Sequence, residues 1–109
     1  MIDFSLIPEI TVPHMKGGEG YAKGRAFIDE NVRIQKSILD PGCSIGNHVH
    51  EDNYEIVYIL EGEATCLLDG KTEIVKAGQV HYCPKGHSHS MKNNGKAPLK
   101  CLCIVPKQP

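Results

Sequence analysis

The 109-residue sequence predicts an all-β domain, an antiparallel sandwich or barrel. Three observations carry that expectation. Past residue 30, short runs rich in β-branched and aromatic residues recur roughly every ten residues. Turn formers separate them, among them Asp40-Pro41-Gly42, Asp69-Gly70 and Asn93-Asn94-Gly95, which supply the positive φ angles and fixed kinks that tight connections need. No segment of this region spaces its apolar residues with a helical period.

Residues 1–30 stand apart as an N-terminal extension. Four glycines within MKGGEGYAKG predict a flexible link. The apolar residues before it, Ile2, Phe4, Leu6, Ile7, Ile10 and Val12, need a surface to cover, on the barrel's outside or on a second subunit. Residues 31–109 are expected to form the barrel. Its strands are read in order at 31–39 (NVRIQKSIL), 44–50 (SIGNHVH), 54–60 (YEIVYIL), 64–68 (ATCLL), 72–76 (TEIVK), 79–83 (QVHYC), 87–92 (HSHSMK) and 99–105 (LKCLCIV).

With 40% hydrophobic residues the chain can bury one modest core. Twelve basic against thirteen acidic side chains leave a formal charge of −1, and no Lys/Arg block is present, so no nucleic acid partner is expected. No apolar stretch approaches a membrane span, and the first residues lack the basic start and apolar run of a secretory signal. The expectation is a soluble, cytoplasmic protein. Five cysteines, Cys43, Cys66, Cys83, Cys101 and Cys103, show no C-x-x-C pair and read as reduced thiols packed as small hydrophobes.

The chemistry concentrates in GNHVHEDNYE, residues 46–55. His48 and His50 share one face of a strand because side chains alternate. Glu55 lies an odd number of positions further on, so a turn or bulge at Glu51-Asp52-Asn53 is needed to bring it to the same side. By itself the pattern reads equally as a metal site and as surface polar residues beside a turn. A third imidazole, His89, follows the Pro84-Lys85-Gly86 turn.

At these residues the chain resembles the cupin superfamily. Its first motif, G-x5-H-x-H-x4-E-x6-G, is met by Gly42, His48, His50, Glu55 and Gly62; its second, G-x5-P-x-G-x2-H-x3-N, by Gly78, Pro84, Gly86, His89 and Asn93. The resemblance implies a double-stranded β-helix, or jelly roll, with His48, His50, Glu55 and His89 binding one metal ion inside the barrel. Three imidazoles and one carboxylate suit a divalent Mn, Fe, Co, Ni or Zn ion. Six-coordination would leave two positions for water, oxygen or a chelating ligand. The glycines read as turn residues, and Asn93 as a side chain that braces a turn.

Other residues carry weaker expectations. His14 and His87 match no ligand position. His81 lies on a strand leading to the site, where a lumen-facing, acid/base role competes with a plain structural one. On 31–39 one face carries Val32, Ile34, Lys36 and Ile38, the other Arg33, Gln35, Ser37 and Leu39. If the second lines the barrel, Arg33 and Gln35 can bind a carboxylate; the favoured reading leaves that face solvated. Tyr54 and Tyr58 are expected to point outward, and together with the apolar N-terminus they predict a homodimer. Two classes of function remain. One is a metal-dependent enzyme (dioxygenase, decarboxylase, lyase or isomerase) acting on a small oxygen-rich substrate such as a carboxylate. The other is a non-catalytic module that binds or senses such a ligand.

Overall fold

The computed structural model describes residues 1–107, so the last two residues of the expected barrel lie outside the described residues. Ten strands are described: β1 (Ile10–Pro13), β2 (Tyr21–Ile28), β3 (Val32–Leu39), β4 (Ser44–Val49), β5 (Glu55–Glu61), β6 (Glu63–Leu68), β7 (Lys71–Lys76), β8 (Val80–Cys83), β9 (Ser88–Lys92) and β10 (Leu99–Pro106). The last eight fall on the eight runs read from the sequence. They build an all-β jelly roll of two antiparallel sheets, one ordered β1-β2-β3-β10-β5-β8 and the other β4-β9-β6-β7. No helix among the described residues is long and apolar enough to cross a membrane.

Alternation explains the core. β10 lies between β3 and β5 and buries every second residue, Leu99, Cys101, Cys103 and Val105. The first three meet Leu39, Val57 and Ile59 of the same sheet and Ala64, Cys66, Val75 and Met91 of the facing sheet in one cluster. All five cysteines are free and buried. Burial pushes the Cys66 thiol up to about 12 and that of Cys83 up to about 11, so both stay protonated and behave as small apolar side chains.

The glycine-rich stretch is packed where a flexible link was expected. A Cβ on Gly18 would fall on the Ser44 carbonyl, and one on Gly46 on the Lys16 carbonyl. Two backbones cross here closer than any side chain allows. Glycine serves close approach, which composition alone does not distinguish from looseness. β1 and β2, both within residues 1–30, form the outer strands of the six-stranded sheet.

The outer face of that sheet is apolar as well. Register places Ile34, Ile104, Ile56 and Tyr82 in one row and Leu102, Tyr58 and Val80 in the next. Tyr54 stands edge-to-face with Tyr82, ring centroids 6.0 Å apart, and Tyr58, Val80 and Tyr82 are exposed.

Candidate metal centre

Four elements deliver the four candidate ligands. β4 carries His48, the crossover between the sheets carries His50, β5 begins with Glu55, and β9 carries His89 opposite His48. A bulge aims β4. Its pairing with β9 shifts between Ile45 and His48, so both residues line the interior although they are three positions apart. The expected parity break at 51–53 is present too, as the crossover that moves the chain to the six-stranded sheet. The second motif holds this crossover in place: Gly86 N–H donates to the His50 carbonyl (2.6 Å), and His50 N–H donates to the His87 carbonyl (3.1 Å). The buried Asn93 braces the β9–β10 turn as expected, donating to the Leu39 and Ala97 carbonyls (2.8 and 2.9 Å) and accepting from Gly95 N–H (2.9 Å).

The donor atoms converge. Nε2 of His89 lies 2.9 Å from Nε2 of His50 and 3.1 Å from Nε2 of His48. Glu55 Oε1 lies 3.1 Å from Nε2 of His50 and 3.0 Å from Nε2 of His89. One ligand atom from each residue lies within 4.8 Å of all the others. Two donors about 2.1 Å from one ion stand about 3.0 Å apart at a right angle and about 3.4 Å apart at the tetrahedral angle. The observed spacings match the right-angle value, so the four residues fit a single divalent ion.

Each ring's other nitrogen is engaged. His48 Nδ1–H donates to the Gly46 carbonyl at the bulge (2.9 Å), and His50 Nδ1–H donates to Asn53 Oδ1 (2.5 Å). Nδ1 of His89 meets Nε2 of His81 (3.1 Å), and His81 Nδ1–H donates to Glu73 Oε1 (2.9 Å). Burial alone would push the Glu55 carboxyl up, but its contacts with the imidazoles of His50 and His89 outweigh it and hold the group down to about 2. The Glu55 hydrogen bond raises His50, against the opposing pull of burial. Burial lowers His48.

Three of the four, His48, His50 and Glu55, line a cleft of about 390 Å³ whose walls also include Lys16, Arg33, Gln35 and Ser37. This overturns the expected solvated face of β3: Gln35, Ser37 and Leu39 are buried, and Arg33 points into the cleft. The more apolar face of β3 belongs to the outer apolar rows described above, so hydrophobicity could not say which face is inner. Arg33 Nε–H donates to Gln35 Oε1 (2.9 Å), with a second guanidinium bond to the same oxygen, and Gln35 Nε2–H donates to Ser37 Oγ (2.9 Å). His81 is fully buried behind His89 and does not line the cleft. His87 is half exposed and pairs with Asp69, while His14 is exposed and bonds the Gly18 carbonyl. Glu73 was not singled out in the sequence; its only signal there was a carboxylate two positions before the buried Val75, on the inner face of β7.

A family model for the cupin domain matches residues 36–105. The chain belongs to the cupins. It is 34% identical over 100 residues to an oxalate-binding protein of Thermotoga maritima, a match covering 86% of this chain and 83% of that one. An uncharacterized protein of Methanocaldococcus jannaschii is 33% identical over 101 residues, covering 93% of this cupin and 72% of the relative. Among solved structures, a predicted oxalate decarboxylase from Thermotoga maritima superposes with a TM-score of 0.91 at 31% identity, covering 98% of each chain.

Proposed function

We propose that this cupin holds one divalent metal ion on His48, His50, Glu55 and His89, and on it a small oxygen-rich ligand, a carboxylate of the oxalate kind. The observation that carries this reading is the convergence of four donor atoms, three of them from residues lining a cleft whose wall presents Arg33 and Lys16. The ion, when bound, supplies a Lewis-acid centre for hard oxygen donors. The chain's own groups do the rest. Gln35, itself anchored on Ser37, holds the Arg33 guanidinium by its Nε edge and one Nη, leaving the other Nη free for a ligand carboxylate. Lys16 adds positive charge at the mouth. The similarity to an oxalate-binding protein supports the ligand class.

Binding is favoured over acid–base catalysis by the place of His81. Both of its nitrogens are committed, and it does not reach the cleft. The free, buried thiols support a reducing, cytoplasmic setting. The two apolar rows on the outer sheet face support a homodimer in which a second copy covers them.

Elemental analysis and thermal melts test the reading. His50→Ala and His89→Ala should lose the metal, whereas His14→Ala should keep it. Oxalate or pyruvate at a hundred times its dissociation constant should stabilise the metal-loaded protein by about 2.7 kcal/mol and leave the metal-free protein unchanged. Full metal retention in both ligand variants, or no shift with any small carboxylate, defeats the reading.

A further inference from the structure

We propose that Glu73 is a positioning residue for the metal centre: acting through His81, it fixes the tautomer of His89 so that this ring turns a bare Nε2 toward the other three donors. The inference deepens the metal-binding reading and rests on it.

A neutral imidazole carries one N–H, and the partner of one nitrogen decides which atom holds it. For His48 and His50 the decision is local. Their Nδ1 partners, the Gly46 carbonyl and Asn53 Oδ1, are oxygens that only accept, so Nδ1 carries the hydrogen and Nε2 is left with a lone pair. His89 differs. Its Nδ1 partner is the imidazole nitrogen of His81, which serves as donor or acceptor equally well.

The next bond settles the matter. Glu73 Oε1 accepts from Nδ1–H of His81 at 2.9 Å, and a carboxylate has no hydrogen to give. Neutral His81 then offers a bare Nε2, so His89 must donate from Nδ1, and its own Nε2 is free to ligate. The rings of His81 and His89 lie parallel to within 11° with centroids 5.3 Å apart, a separation that fits rings joined edge to edge through the 3.1 Å contact. His81 is fully buried, so in the native fold water does not compete with either partner. The three residues come one each from β7, β8 and β9, and Glu73, on an edge strand, keeps 45% of its side chain exposed. Glu73 touches neither ion nor ligand, and its effect passes through two hydrogen bonds.

Two measurements test this. Long-range 1H–15N correlation spectra report which ring nitrogen is protonated, and chelator competition reports zinc affinity. In the zinc-loaded protein His89 should be protonated at Nδ1 only. Glu73→Ala should weaken zinc about 10- to 100-fold, as loss of an outer-sphere partner does. Glu73→Gln, which keeps an acceptor oxygen, should stay within a few-fold of the parent, and Glu63→Ala on the neighbouring strand should match it. His81→Gln, whose Oε1 can accept from His89, should retain zinc better than His81→Met. Because Glu73 is half exposed, its variants fold even if the His81 variants do not. Parent-like zinc affinity in Glu73→Ala overturns the proposal, as does a His89 protonated at Nε2. If the parent binds no zinc, the metal reading fails on its own. The His81 ring in the ion-free protein still decides the relay: Nδ1–H supports it, Nε2–H overturns it.

Discussion

Metal loading on the acid side of neutrality should release the proton that His50 carries there, and Glu55→Gln should reduce that release. The expectation follows from the site's own groups. Glu55, held down to about 2, brings no proton at neutral pH. His48, lowered by burial, is also unprotonated. His50 is the group pushed up, chiefly by its hydrogen bond to Glu55 with burial opposing, so it holds its proton to higher pH than a free imidazole and must surrender it to ligate. One displaced proton makes the apparent affinity fall about tenfold per pH unit on acidification, or about 1.4 kcal/mol. The ion-free fold behaves oppositely. A raised histidine stabilises fully below its unfolded value of about 6.5, and that contribution is lost as pH rises through the raised folded value. Metal-loaded and ion-free melting temperatures should therefore converge as pH drops from about 7 toward 5. Calorimetric zinc titrations in two buffers of different ionisation enthalpy give the proton number directly. Glu55→Gln removes the chief cause of the His50 shift, so both the release and the pH dependence should move to lower pH. A parent release of zero between about pH 6.5 and 7, or an unchanged release in Glu55→Gln, would refute this reasoning.

Three further outcomes are expected. Asn93→Ala strands two carbonyls and the Gly95 N–H, which at about 1 kcal/mol each costs about 3 kcal/mol and lowers the melting temperature by roughly 10–20 °C, with metal stoichiometry unchanged. Arg33→Ala should weaken oxalate binding at least about tenfold, the value of one charge-assisted contact, while zinc affinity measured without oxalate stays at the parent level. Light scattering should give twice the 12.0 kDa chain mass at micromolar concentration, and Tyr58→Lys with Tyr82→Lys should yield monomers that still take up metal. A parent mass near that of one chain contradicts the dimer.

The strands were legible because alternation is local in sequence, and the four residues that the fold brings together were picked out by the motif intervals that carry the family resemblance. Period-two alternation in LKCLCIV and YEIVYIL marks strands whichever sheet they join, and the fixed intervals around His48, His50, Glu55 and His89 survive folding unchanged. What failed to show depends on what lies across the sandwich. The inner face of β3 looked solvated because Arg33, Gln35 and Ser37 are polar, yet they are paired in a ladder against the cleft. The glycines of MKGGEGYAKG looked loose because nothing in the composition says that the backbone at Gly18 meets that at Gly46. The Gly46 bulge that re-aims His48 is a register shift, visible only against β9. Glu73 reads as an ordinary surface carboxylate until His81 is placed beside it.

The donors come from both leaves of the sandwich, His48 and His89 from the four-stranded sheet and Glu55 from the six-stranded one, with His50 on the strap between them. An ion held by all four acts as a rivet. Prising the leaves apart then requires breaking coordination bonds first, so opening fluctuations that β4, β9 and β5 undergo separately in the bare protein become one joint, rarer event. Amide hydrogen exchange along these three strands should slow together on loading, at positions remote from the site as well as beside it, while the free edge strand β1 continues to exchange at its own pace.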